Sequence, residues 1–367
     1  MKLIGYLGTL IIGMLLCGPM PAQAVSFEIW VANQGLDKIQ ILDGESLKVT
    51  AEIDADTDGK PATSKPHMVL FSPDFKYAYV ANVGSAPKTN NILVISAADR
   101  KIVATLPSGP STHAVTPSHD GARAWATSVG SDTLIEVLAD PAKGEFKLGR
   151  EIPVGDGPGG MKDRPICAFF TADSKKVYVT NGGDPSALDP LSTGSISVID
   201  VASGKQTKQI NNVGQEACGL ALSKDGGKIY INIGGYVNTY YVINTKTDAV
   251  LTQGNTAGFD SHGTRITPDG KELWLANRQS NNIVILDTAT DAIIAKIDNA
   301  GDRPDLLEFS PDGSLAFATL RGQAVTKTIH DVTGKEPGLA VFNVKERKRA
   351  QHIPLDGDPH GIAIRPK

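Results

Sequence analysis

Four of the chain's seven histidines stand at one register. His67, His113 and His262 each lie 12 residues before a large aromatic, Tyr79, Trp125 and Trp274, and His360 holds the matching place in a phrase near the C-terminus. The same column holds Asp305, 12 residues before Phe317, while Ile166 and Cys218 fill it before Tyr178 and Tyr230. Neutral imidazole is the commonest protein ligand for copper, zinc and iron, and a carboxylate can complete such a set. A lone strand histidine is more often a hydrogen-bonded structural side chain than a ligand. Four in one column beside an aspartate point instead to a shared site for a transition metal such as copper, zinc or iron. No C-x-x-C-H occurs, so covalently attached haem is excluded.

The column exists because the sequence repeats. The aromatic-led phrase runs "WVAN" to Asn33, "YVAN" to Asn82, "WATS" to Ser128, "YVTN" to Asn181, "YINI" to Ile233, "WLAN" to Asn277 and "FATL" to Leu320. Its spacings are 49, 46, 53, 52, 44 and 43 residues. A Ser/Thr-x-Asp turn precedes each phrase after the first, and runs such as "NIVILD" and "AIIAKI" follow. Period-two β-branched runs with Gly, Asp and Asn punctuation predict strands, and four per repeat of this length predict propeller blades. Seven anchors predict an all-β, seven-bladed β-propeller. The chain enters at "FEIWVAN", a second strand, and closes with "DPHGIAIRPK", the first strand of that same blade, so residues 358–365 should pair with 27–33. The column then opens the innermost strand of each blade. It forms a ring at one channel mouth in the cyclic order His262, Asp305, His360, His67, His113, Ile166, Cys218.

"YVTN" at 178–181, with its "SPDG" and "VIDVASGK" companions, resembles the YVTN-repeat family of exported seven-bladed propellers. The resemblance covers nearly the whole chain after residue 24. It implies the fold, and leaves function among scaffolds, lactonase-like enzymes and cofactor binders. By position, the ring resembles the inner-strand histidines that hold a copper cluster in nitrous oxide reductase propellers. It also resembles the channel-mouth histidines of haem-d (cytochrome d1-like) propellers. "PHMVLFSPD" is similar to lactonase propellers, which implies a hydrolase using His, Arg and Glu; Glu308 lies three residues from Asp305, but no Glu falls on the ring. A non-catalytic scaffold binding a protein or polymer is the third alternative.

Loop lengths select a face. The connections 54–65, 83–91, 154–164, 182–194 and 321–338 are long and lie on the ring side, whereas the turns opposite are short. Long loops in compact domains are usually functional, so a small-molecule ligand or protein partner is expected at the long-loop face. His330 and Asp331 sit in the last of these loops as additional ligand candidates. His119 belongs to a turn on the far face and His352 to an outer strand, both structural. Arg265, Arg278 and Arg321 are read as lying near the ring, to bind an anion or to pair with carboxylates.

Residues 1–24 read as a secretory signal peptide: Lys2, an uncharged apolar run from Leu3 to Leu16, and Ala22-Gln23-Ala24 for cleavage. Residues 25–367 are then one propeller domain, periplasmic or secreted, with no membrane span after cleavage. The formal charge of -4 gives no footprint for nucleic acid. Cys167 and Cys218 are too few for a disulfide framework, and a single bridge between them is left open.

Overall fold

A computed structural model describes residues 25–84, 86–155, 163–235, 237–324 and 332–367. The proposed leader, His330 and Asp331 lie outside the described residues. The described chain forms seven four-stranded antiparallel sheets arranged as a seven-bladed β-propeller. A single 3-10 turn, Pro87–Thr89, is the sole helical element among the described residues. Blade 1 joins the two ends of the chain: strand Pro359–Pro366 is innermost and pairs with Phe27–Asn33, in register from Phe27↔Pro366 to Asn33↔Pro359. Blades 2 to 7 follow in sequence, with inner strands Pro66–Phe71, Thr112–Pro117, Pro165–Phe170, Ala217–Leu222, Ser261–Ile266 and Pro304–Phe309.

The aromatic of each repeat explains why the blades stay together. Trp30, Tyr79, Trp125, Tyr178, Tyr230, Trp274 and Phe317 are all buried in the second strand of their blade. Each belongs to a different apolar cluster, made of its own blade and the next. Trp30, for example, packs with Val69, Val80, Leu93 and Ile95 of blade 2. The core is thus seven inter-blade interfaces, each centred on one large ring. Their polar edges are satisfied: Trp30 Nε1 donates to Glu28 Oε2 at 3.0 Å, and the Tyr230 hydroxyl donates to Asp291 Oδ1 at 2.6 Å. Buried indoles and phenols require such partners.

The Ser/Thr-x-Asp turn is a repeated hydrogen-bond device between the first two strands. In blades 2 to 7 the hydroxyl of Ser72, Ser118, Thr171, Ser223, Thr267 or Ser310 donates to the Asp two residues on, at 2.5–2.7 Å. The backbone N–H two residues beyond that Asp donates to the same carboxylate. Hydroxyl and amide hydrogen bonds hold these carboxyls below their usual range; desolvation opposes them, and at Asp74 it is the largest single influence. A depressed carboxyl contributes stability that is complete above its unfolded pKa, about 3.9, and is lost as pH falls toward the folded value. Glu136, held at about 2 by Arg150 and Trp125 against the cost of burial, acts in the same sense. The melting temperature should therefore be level above pH ~5 and fall steeply below pH ~4. A melting temperature constant from pH 6 to pH 3, followed by circular dichroism, would contradict this.

Candidate metal centre

The ring residues sit at a β-bulge that recurs in every blade. Pairing between the first two strands slips at Pro66/Met68, Thr112/Val115, Pro165/Cys167, Ala217/Gly219, Ser261/Gly263, Pro304/Leu307 and Asn33/Val31, always beside the ring position. A bulge leaves one residue unpaired and re-aims its side chain. In blades 2 to 7 the residue two before it adopts a left-handed backbone, from Lys65 at φ 50° to Glu216 at φ 64°. Neighbouring blades are pulled close at this level. Gly219, Gly263 and Gly361 each follow a ring residue. A Cβ on Gly361 would lie 2.5 Å from the His67 carbonyl, and one on Gly263 2.0 Å from the Asp305 carbonyl. Elsewhere a threonine of the second strand makes the link: the Thr127 hydroxyl donates to the Ile166 carbonyl at 2.7 Å, and Thr319 to the His360 carbonyl at 2.8 Å.

The column converges, and it does so in the interior rather than at an open mouth. His67 and His113 are 4% exposed, His262 3%, and His360 and Asp305 0%. The four histidines divide into two sets. His67 and His113 share a hydrogen bond, Nε2 to Nε2 at 2.9 Å, and the His67 ring stacks on His360 with centroids 3.7 Å apart. His262, Asp305 and His360 form the second set, whose ligand atoms all lie within 4.8 Å of one another. His262 Nδ1 is 2.5 Å from Asp305 Oδ1, and His360 Nε2 is 3.5 Å from Asp305 Oδ2.

His360 has one ring nitrogen bonded and, among the described residues, the other not. Its Nδ1 lies 2.9 Å from the His67 carbonyl, an acceptor only, so Nδ1 carries the hydrogen and Nε2 the lone pair. Burial pushes its pKa well below the ordinary value, with Asp305 opposing, and the ring is neutral at neutral pH. Burial would raise the Asp305 carboxyl, but the positive neighbours, led by His262, hold it well below its usual range. A lone pair and a carboxylate oxygen therefore face each other at 3.5 Å in a buried site, and His360 Nε2 has no hydrogen-bond partner among the described residues. Two acceptors so placed repel unless a cation lies between them.

Two buried arginines set the local charge. Arg278 forks onto Asp260 (2.8 and 2.9 Å) and approaches Asp305 at 3.8 Å; Arg321 forks onto Asp358 (2.7 and 2.8 Å) and reaches Asp305 Oδ2 at 3.1 Å. All five side chains are at most 2% exposed, so three carboxylates share two guanidiniums, and His262 Nδ1 stands 2.5 Å from the third of them, Asp305. Buried charge is costly unless compensated. Arg278 and Arg321 do pair with carboxylates near the ring, one of the two readings their types allow. Arg265 does not lie near it: it sits three residues down its strand, paired with Glu308. Asp260 and Asp358 were missed by sequence reasoning, although both occupy one column, two residues before the ring position, and the two arginines occupy another, four after the aromatic. Gln34 is the blade 1 member of that arginine column; its amide is fully buried and makes no hydrogen bond among the described residues.

Below the ring the channel holds a cavity of about 80 Å³, lined by His113, Cys167, Cys218 and His262 among others. Cys167 and Cys218 form no disulfide and are offset by one position along neighbouring inner strands. Burial pushes the Cys167 thiol up to about 12 and Cys218 well above its usual value. His119 is exposed, and His352 lies 3.3 Å from the Pro337 carbonyl on an outer strand.

No family model matches the chain, so the YVTN-repeat resemblance rests on its motifs alone. No curated protein matches it either. Among solved structures it is similar to a chain of hydrazine synthase from Kuenenia stuttgartiensis, with TM-score 0.64 and 17% identity over 84% of this chain and 96% of that one. It is also similar to the dihydro-heme d1 dehydrogenase NirN in complex with DHE, with TM-score 0.59 and 15% identity over 92% of this chain and 74% of that one. At these identities the likeness is one of fold.

Proposed function

We propose that this chain is a transition-metal-binding propeller in which His262, Asp305 and His360 hold a single ion, with copper the first candidate and zinc or iron open to the same donors. The observation that carries this reading is the 3.5 Å separation of His360 Nε2 and Asp305 Oδ2. Two ligand atoms about 2.0–2.2 Å from one tetrahedral ion stand about 3.3–3.5 Å apart. The His67 carbonyl supplies the second-nitrogen hydrogen bond that metal-bound imidazoles require. His67 and His113 then support the centre from beside it. A copper or iron ion would supply one-electron chemistry; this chain's residues would hold it and keep water away.

A haem-type group fits less well. The cavity holds about 80 Å³, whereas pockets for cofactor-sized ligands run to about 300–1,000 Å³. The described residues therefore favour an ion. The lactonase-type alternative gains no support, because Glu308 is engaged by Arg265 at the far end of the channel. Export to the periplasm or beyond stays part of the proposal, on the strength of residues 1–24. No helix among the described residues is long and apolar enough to cross a membrane. A partner at the long-loop face is proposed on its exposed Leu188, Leu191 and Phe259.

The test is a titration of metal-stripped protein with Cu²⁺, Zn²⁺ and Co²⁺, read by elemental analysis after gel filtration and, for Co²⁺, by visible absorption. One equivalent retained per chain is expected. A protein that retains none of the three ions sinks the reading.

A further inference from the structure

Beneath the ring, the cavity adjoins an open funnel of about 310 Å³ on the short-turn face, and three side chains line both: Leu70, Arg265 and Glu308. Arg265 and Glu308 lie on the inner strands of blades 6 and 7, three residues beyond His262 and Asp305. They form a two-pronged ion pair, Nε to Oε2 at 2.9 Å and Nη2 to Oε1. Its members differ in depth: the Arg265 side chain is 31% exposed and that of Glu308 10%. The ring side also carries an opening, of about 410 Å³, but it is lined by Asn281, Asp302, Arg303, Thr333, Lys335 and Glu336 and reaches no ring residue; the ring histidines and Asp305 are 4% exposed or less.

A channel plugged only by apolar side chains would be core. One plugged by an ion pair is different, because each partner can exchange the other for water or for an ion. Burial raises the Glu308 carboxyl above its usual range even beside Arg265. Arg265 already reaches solvent and has room to swing into the funnel.

We propose that the channel is the access route to the buried centre, entered from the short-turn face, with the Arg265–Glu308 pair as its gate. When Arg265 swings outward, the Glu308 carboxylate faces the passage and can accompany a small cation inward. What travels the route rests on the metal reading above; the route itself does not.

Cys167 and Cys218 line the cavity behind the gate and report on it without any metal. The native protein is treated with methyl methanethiosulfonate, a small neutral thiol reagent, and modification is followed by mass spectrometry. The Arg265→Ala/Glu308→Ala double variant removes both charges together, so neither is left buried alone, and should label at least about ten-fold faster than the parent. Leu70→Ala widens the same partition without touching the pair and should also accelerate labelling. Gln34→Ala, on the ring side, should label at the parental rate. Measurement at several low urea concentrations separates gate opening from global unfolding, which alone accelerates with denaturant. Parental rates in both gate variants, or acceleration in Gln34→Ala matching theirs, overturn the route. In parallel, Co²⁺ loading and release should both quicken in the double variant at unchanged affinity. A parent chain that binds no metal sinks the metal reading, and the labelling still decides the route.

Discussion

Asp305→Asn should lower metal affinity by about 100-fold or more while leaving the melting temperature of the metal-free protein almost unchanged. The two halves of this result have separate causes. The amide keeps the shape of the carboxylate but loses its charge and one strong donor, so a cation shared with His360 and His262 is held far less well. In the metal-free chain the amide oxygen can still accept from Arg321 while the amide N–H faces His262 Nδ1, and one of the three carboxylates sharing two guanidiniums is neutralised, so little stability is lost. Arg321→Met makes the opposite change: three carboxylates are left with one guanidinium, and Asp358 loses both prongs of its partner. Breaking a buried pair costs about 3–5 kcal/mol, so this variant should melt well below the parent. His360→Ala should abolish stoichiometric binding. His67→Ala should cost only about ten-fold, because the backbone carbonyl that sets the His360 tautomer survives and only the stacked ring is lost. His119→Ala, exposed on the far face, should bind as the parent does. Calorimetric titration with Zn²⁺ and thermal melts of the metal-free variants read both halves. Equal affinities for His360→Ala and His119→Ala would remove the centre.

Much of this architecture was legible because a propeller repeats its physics once per blade. Every inter-blade cluster needs one large ring, every first hairpin uses the Ser/Thr-x-Asp turn, and every inner strand bulges at the same step. A column read from one blade therefore holds for the others, and the convergence of His67, His113, His262, His360 and Asp305 followed from register alone. Depth did not. Register places a residue at the start of an inner strand but does not say how closely neighbouring blades approach there. That approach depends on Gly219, Gly263 and Gly361 and on the threonine links, and it turns an expected mouth into a buried cluster. Nor does a column distinguish a histidine bonded to its neighbour, as His67 is to His113, from one facing a carboxylate. That difference lies in how each bulge rotates its side chain. The arginines illustrate the same limit. Arg265 and Arg278 are 13 residues apart in one blade, yet one plugs the far end of the channel and the other is sealed beside the ring.

Deleting residues 359–367 should leave a chain that no longer unfolds cooperatively. The strand Pro359–Pro366 is the innermost of blade 1, and its first five residues are buried. Its removal exposes the whole edge of Phe27–Asn33, an apolar strand buried along its length, with unpaired N–H and C=O groups. It also takes Ile362 from the cluster shared with blade 7 and Ala363 from the cluster shared with blade 2, so both interfaces of blade 1 weaken together. Each lost ladder bond costs about 0.5–1.5 kcal/mol and a buried isoleucine about 1.5–3 kcal/mol. Over the strand this reaches on the order of 10 kcal/mol, comparable with the whole stability of a typical domain. Ile362→Ala is the milder companion, expected to cost about 2–5 kcal/mol with cooperative unfolding retained. A synthetic peptide of residues 358–367 added to the truncated chain should restore a sharp transition, because it refills one strand position whose pairing and packing are already specified. Urea unfolding monitored by tryptophan fluorescence, with Trp30 in the affected blade, measures all three. A truncated chain that melts like the parent would mean that the ring is not held shut by this strand.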